Sequence, residues 1–285
     1  MHYTYVRFPG GKAKAVTFSY DDGSKADLRL SKTLSDYGMK GTFNINSGKW
    51  QDDGFHLTPA EIKENIIDRG HEVAVHGHLH KAPGMLLPID CIREVLECRE
   101  TLEKTFGGIV RGMAYPDHGV RILMNNSSYE SVRRNLQDLG IAYARTTWAD
   151  NDTFRLPEDW YYWKPTIHHK NEFALDWAQA FVSVDPRKAY QSTRYSRLFY
   201  VWGHASEFDS AGNWDRLDAI CEKFAYREDI WFATNIEIRD YVAAYDSLQF
   251  SVDKSYVTNP SAVDVYFELD EKEYCAPAGE TVKIR

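Results

Sequence analysis

The sequence predicts an α/β fold, a parallel sheet wrapped by helices and closed into a barrel, with a small β extension at its C-terminal end. Three observations carry this. Short runs rich in Val, Ile, Tyr and Phe alternate with amphipathic stretches from residue 13 to about residue 245. The connections are short on one side of these runs and long on the other, as in a barrel with decorated loops. Beyond residue 245 only strand-like runs remain.

Eight runs read as barrel strands: 13–18, 40–46, 71–76, 109–115, 141–146, 163–167, 198–203 and 230–234. The intervening stretches carry helix punctuation. Thr58-Pro59-Ala60-Glu61 is a capping box with proline at the first helical position, and its helix places Ile62, Ile66 and Ile67 on one side before Gly70. The stretches 24–37, 88–106 and 125–139 stop at Gly38, Gly107 and Gly140, which suit left-handed C-caps. The tail has runs at 249–252, 264–269, 274–276 and 281–284, with turns at Asn259-Pro260-Ser261 and Ala278-Gly279-Glu280. The expected division is a barrel over 1–245 and an extension over 246–285 that packs on it as structure.

Composition narrows the function. Apolar residues make up 43% of the 285 and charged residues 27%, which suits a packed core. A formal charge of -8 repels phosphate backbones and argues against nucleic acid. No apolar run reaches the roughly 18–20 residues of a membrane span. The first residues lack the apolar stretch of a signal peptide, so the location at face value is cytoplasmic, and extracytoplasmic if the chain was trimmed. Cys91, Cys98, Cys221 and Cys275 form no CxxC pair and read as buried free thiols, Cys91 and Cys98 on one helix face. Oligomeric state is open.

Two clusters carry chemistry. Ser19-Tyr20-Asp21-Asp22-Gly23 follows the first strand. Adjacent acids are costly unless a cation or proton separates their roles, and the glycine allows a sharp turn that faces both into one pocket. His76-Gly77-His78-Leu79-His80 follows the third strand. A spacing of four on a helical turn would set His76 and His80 on one face, with His78 pointing elsewhere. Both clusters sit past the C-terminal ends of strands, where parallel barrels build active sites. Two imidazoles and a carboxylate make a three-ligand metal site with room for water, and the spare acid is a candidate base.

Thr17-Phe18-Ser19-Tyr20-Asp21-Asp22-Gly23 followed by His76-xxx-His80 resembles the NodB-homology polysaccharide deacetylases, carbohydrate esterase family 4, in order over roughly residues 13–240. The resemblance implies a distorted (β/α) barrel and removal of acetyl groups from N- or O-acetylated sugars of an oligo- or polysaccharide. It implies one divalent metal on Asp22, His76 and His80, zinc first, with cobalt, nickel, manganese and iron also suited. Asp21 matches the family's general base. The late catalytic acid is best matched by His204, after the apolar run 198–203. Glu207, Asp209, Asp150 and Asp152 are candidates to orient it.

The third motif departs from the family. Met113-Ala114-Tyr115-Pro116-Asp117-His118-Gly119 has Ala114 where the family carries the arginine that steadies its catalytic aspartate. Arg111 and Arg145 are the possible replacements. Tyr115, Asp117, Arg145 and Trp148 are the candidate substrate contacts, with an oxyanion-binding amide expected near Asp117. Trp148, Trp160, Tyr161, Tyr162 and Trp163 crowd one region and offer flat faces to sugar rings. His168-His169 can line the pocket. Three readings compete with the deacetylase: a hydrolase of a small non-sugar amide, an inactive carbohydrate-binding relative, and a non-haem iron oxygenase, which the β/α alternation disfavours.

Overall fold

The computed structural model describes residues 2–50, 53–147 and 151–285. Its strands are β1 (Thr4–Arg7), β2 (Lys14–Asp21), β3 (Gly41–Ile45), β4 (Glu72–Val75), β5 (Gly112–Ala114), β6 (Tyr143–Arg145), β7 (Ile167–His168), β8 (Arg197–Gly203) and β9 (Ile230–Phe232). The tail adds β10 (Gln249–Phe250), β11 (Tyr256–Thr258), β12 (Val265–Leu269), β13 (Lys272–Ala276) and β14 (Thr281–Lys283). The helices are α1 (Asp27–Asp36), α2 (Pro59–Ile62), α3 (Pro88–Phe106), α4 (Tyr129–Asp138), α5 (Ala174–Ser183), α6 (Ser206–Ala211), α7 (Asp215–Phe224) and α8 (Asn235–Asp246). Among the described residues no helix is long and apolar enough to cross a membrane.

The main sheet runs β6-β5-β4-β3-β2-β8-β7, all parallel. β2 is shared along one edge: its first half pairs with β9 and its second half with β3. The expected strand 163–167 divides. Trp163 pairs with Arg145 of β6, whereas Ile167–His168 pair with β8. Pro165 lies between and has no N–H to continue a ladder. The segment thereby links the two ends of the sheet and closes a distorted barrel.

Strand parity gives the barrel two chemically different faces. Val16, Phe18 and Tyr20 of β2, Phe43 and Ile45 of β3, Val75 of β4 and Phe199 and Val201 of β8 pack outward in the main core with the helices. The opposite residues line an interior that combines polar groups with a second apolar cluster, including Ala15, Tyr143, Leu198, Tyr200 and Trp202. There Thr17 bonds Asn235, Asn44 bonds Ser19, and Thr42 bonds Glu72. The capping box at Thr58 is present, and Ser128 and Thr234 make two more that start α4 and α8.

The tail is fastened to the chain's other end. β1, too short and isolated to be read as a strand in sequence, joins β12 and β13 in an antiparallel sheet. Behind it Glu268 accepts from Arg7 Nη2 at 2.6 Å and from Arg194 Nε at 2.6 Å, with Arg7 and Glu268 essentially buried. Glu268→Ala would strand two buried guanidinium groups and should cost about 3–5 kcal/mol in denaturant unfolding. A loss below about 1 kcal/mol would show that the tail does not depend on this anchor.

Glu72 is a second buried acid. Its carboxylate accepts from Thr42 Oγ1 at 2.8 Å, Tyr143 Oη at 2.7 Å and the Ile236 amide at 2.9 Å, tying α8 to the barrel. Burial pushes its pKa up from 4.5 to about 7 despite these donors. Between those values the folded state holds the proton that the unfolded state has lost, so stability falls as pH rises. The contribution lost is on the order of 3 kcal/mol across that window. Glu72→Gln should flatten the slope of unfolding free energy against pH there; an unchanged slope refutes the assignment.

Candidate functional site

The site forms at the C-terminal mouth of the barrel. β2 ends on Asp21, which points inward, and the next two residues, Asp22 (φ 79) and Gly23 (φ 68), are both left-handed. This reversal brings Asp22 Oδ1 to 3.5 Å from His76 Nε2 and 3.4 Å from His80 Nε2. His76 Nδ1 lies 3.0 Å from the Ala114 carbonyl, so that nitrogen donates and Nε2 presents its lone pair to Asp22. Burial holds the His76 imidazole below its ordinary pKa, against the pull of Asp21 and Asp22.

The His76–His80 segment is a loop, not the helical turn that the spacing suggested. Gly77 (φ 79) and His80 (φ 62) are left-handed. Glu94, buried on α3, holds the loop: its Oε1 accepts from the Leu79 amide at 2.7 Å and the Lys81 amide at 2.9 Å. A Cβ at position 77 would lie 2.6 Å from that oxygen, which fixes glycine there. His78 points away, as expected, with Nδ1 2.9 Å from Ser47 Oγ.

Three donor groups therefore converge, and Asp22 Oδ1 is buried without a hydrogen-bond partner. Ligands about 2.0–2.1 Å from a tetrahedral cation stand about 3.3 Å apart. The spacing here, with all three atoms within 4.8 Å of one another, fits such an ion.

Asp21 is held apart from that set. Arg145 Nη2 reaches both of its oxygens at 2.5 Å, and Asn44 Nδ2 donates to Oδ1 at 2.9 Å. Burial raises the carboxyl's pKa, but Arg145 and the neighbouring imidazoles outweigh it and keep the group below its usual range. The geometry thus decides between the two arginines. Arg111 pairs with Asp240 on the outside of the barrel, whereas Arg145 is fully buried beneath Asp21. Arg145 is accordingly no substrate contact, because it lies inside the barrel with its charge engaged.

His204 follows β8 and faces the same mouth. Its Nε2 is 4.0 Å from Asp21 Oδ2 and 3.9 Å from Asp22 Oδ2, and its Nδ1 is 3.7 Å from Glu207 Oε1. Burial works against its charge, yet Glu207, Asp21 and Asp22 together raise its pKa to about 9. Of the acids considered for orienting it, Glu207 is the one in place. Asp209 accepts from Trp214 Nε1, Asp152 is exposed, and Asp150 lies outside the described residues.

The expected substrate contacts fare differently. Tyr115 is buried, its hydroxyl donating to the Tyr161 carbonyl and its amide to the Arg145 carbonyl, so its side chain is not available. Asp117 (φ 51) is exposed beside His118. Trp148 lies outside the described residues. Trp163 is fully buried against Tyr143 and Tyr200, which removes it as a sugar platform, and Trp160 packs on it. Trp160, Tyr161 and Tyr162 are half-buried. Asn44 and Glu94 were missed by sequence reasoning. The alternation Thr42, Asn44, Asn46 against Phe43 and Ile45 was the available signal for a polar inner face.

Residues 8–144 match the family described as polysaccharide deacetylase. No curated protein matches the chain. Among solved structures, a Mycobacterium smegmatis protein assigned as a polysaccharide deacetylase aligns with a TM-score of 0.57 at 18% identity, over 85% of this chain and 94% of its own. The PuuE allantoinase aligns at 0.56 and 14%, over 82% and 91%. The chitin deacetylase of the fungal pathogen Colletotrichum lindemuthianum aligns at 0.51 and 16%, over 82% and 89%. At such identities these likenesses speak to the fold.

Arg145→Met should leave Asp21 buried without its guanidinium partner and destabilise the fold by about 3–5 kcal/mol in urea unfolding. Arg145→Lys should recover only part of this, since an ammonium lacks the planar spread of donors. Near-wild-type stability for both variants would refute the pairing.

Proposed function

We propose that this chain, whose residues 8–144 match the polysaccharide deacetylase family, is a metal-dependent hydrolase that removes acetyl groups from N- or O-acetylated sugars of an oligo- or polysaccharide. The observation that carries this is the division of labour between two adjacent acids. Asp21 is locked by Arg145, while Asp22 turns an unpartnered oxygen toward two imidazole nitrogens. Asp22, His76 and His80 would hold one divalent cation, and their nitrogen and carboxylate donors suit zinc, cobalt, nickel, manganese or iron. When bound, such a cation lowers the pKa of water to about 7 and polarises an acyl oxygen.

The chain's own residues then divide the proton traffic. Asp21, kept anionic and oriented by Arg145 and Asn44, takes the proton from the attacking water. His204, on the other side of the mouth and charged by its carboxylate neighbours, gives a proton to the leaving amine. An amine leaves poorly until protonated, so this role matters more for an amide than for an ester. Glu207 steers the His204 ring by sitting beside Nδ1, which aims Nε2 at the mouth. The amide for the oxyanion is sought in the loop after Tyr115, because the Tyr115 N–H is already engaged.

The test combines metal content by elemental analysis with acetate release from N-acetylglucosamine oligomers, on wild type, His76→Ala and Asp21→Asn. Expected are bound metal and acetate release in wild type, and loss of both in His76→Ala. In Asp21→Asn, release should fall by about 10²–10⁴-fold with metal retained. Metal without acetate release would overturn the sugar substrate and favour a small non-sugar amide. Neither metal nor release after adding zinc or cobalt would overturn the hydrolase and favour an inactive carbohydrate-binding relative.

A further inference from the structure

We propose that Glu94 is the positioning residue of the metal site: it presents His80 to the cation through the backbone of the loop between Gly77 and Lys81, and so sets how tightly the site holds its ion. The inference rests on the reading of Asp22, His76 and His80 as metal ligands. It adds the residue, on another element, that decides whether the third of them is in place.

The two imidazoles are held in different ways. His76 stands directly after β4; its amide donates to the Ile45 carbonyl at 3.0 Å, and its ring Nδ1 lies 3.0 Å from the Ala114 carbonyl. The sheet thus fixes both its backbone and its ring. His80 lies in the loop, with a left-handed backbone (φ 62) that a β-carbon disfavours. Among the described residues its ring meets only Asp22 and His76, which belong to the site itself. The ring therefore goes where the backbone on either side of residue 80 sends it.

One oxygen sets that backbone. Glu94 Oε1 accepts from the amides that flank His80, Leu79 at 2.7 Å and Lys81 at 2.9 Å, and the Glu94 carbonyl accepts from the His78 amide at 3.0 Å. Bonds from amides to a carboxylate are stronger than neutral ones, and Glu94 is only 6% exposed, so water competes little. From the other side the Gly48 amide donates to the His78 carbonyl at 2.9 Å, and a Cβ at position 48 would stand 2.6 Å from that oxygen. The brace itself is rigid. Glu94 stands on the 19-residue α3, and Cys98, one turn further on, bonds the Ile45 carbonyl of β3 at 3.3 Å. Without the Glu94 oxygen, residue 80 relaxes toward the right-handed region and carries its imidazole away from Asp22. Partners that orient metal ligands in this way typically change affinity by about 10–100-fold.

The test is equilibrium dialysis of the full chain against cobalt(II), read by elemental analysis and by the visible absorption of the bound ion. It compares wild type, Glu94→Ala and Glu94→Gln, with His80→Ala as the reference for a lost ligand, and circular dichroism checks each fold. Wild type should bind one ion. Glu94→Ala should bind it at least about tenfold more weakly, with its absorption shifted toward that of His80→Ala. Glu94→Gln keeps an acceptor oxygen without the charge, and it should restore the wild-type absorption and most of the affinity. If Glu94→Ala does not fold, Gly77→Ala takes its place, since its added carbon would stand 2.6 Å from Glu94 Oε1; the same weakening is expected. Wild-type affinity in the substituted loop, or a Glu94→Gln as weak as Glu94→Ala, overturns the positioning role. If His80→Ala alone loses the ion, the metal site stands and this inference falls. No ion on wild type removes both. An ion that depends on Glu94, without acetate release from any form, supports the inference and removes the deacetylase reading.

Discussion

The interaction on which the rest of the site depends is the buried pair of Asp21 and Arg145. An ion pair inside a protein is expensive, because desolvation of both charges offsets much of their attraction. Here the barrel supplies what makes it tolerable. Arg145 Nη2 spans both carboxylate oxygens, Asn44 adds a third donor, and the guanidinium lies over the Trp202 ring at 4.7 Å. With Asp21 fixed and neutralised from below, a second carboxylate can follow immediately in the chain. Asp22 then escapes the pair through its left-handed backbone and turns toward the histidines.

That arrangement needs a barrel whose interior admits polar groups beside its inner aromatic cluster, with the main apolar core outside under the helices. Parity in the strands achieves it. Phe18 and Tyr20 go out to the helices while Thr17, Ser19 and Asp21 go in, and Phe43 and Ile45 go out while Thr42 and Asn44 go in. Thr17, Ser19, Asp21, Thr42 and Asn44 each make at least one hydrogen bond across the lumen, which offsets part of the cost of their burial. The interior also reaches α8, whose first residue Asn235 bonds Thr17 and whose second donates to Glu72. The site at the mouth is thus braced from the far end of the chain.

The mouth has two halves. One, from β2 and β4, gathers two imidazoles around Asp22; the other, from β7 and β8, gathers imidazoles around Glu207. His204 stands between them and senses both sets of carboxylates, which is why it is charged although half-buried. In the deacetylase reading the first half holds the metal and the base, and the second supplies and orients the acid.

The sequence by itself determined the strand–helix alternation, the two acids after β2, and the histidines at 76, 80 and 204. These are local signals: strand ends, caps and spacing need only neighbouring residues to be recognised. It did not determine how His76 and His80 meet, because that depends on a loop wound around Glu94, fourteen residues beyond the second of them and on another element. It offered Arg111 and Arg145 equally, and only the turn of the barrel sends one outward to Asp240 and the other inward to Asp21, 124 positions away in sequence. It placed the tail after the barrel, whereas β1 joins it through a partner 261 positions distant. Partners so far apart meet through the closure of the sheet and the direction each side chain takes from its strand, and no stretch of sequence read alone contains either.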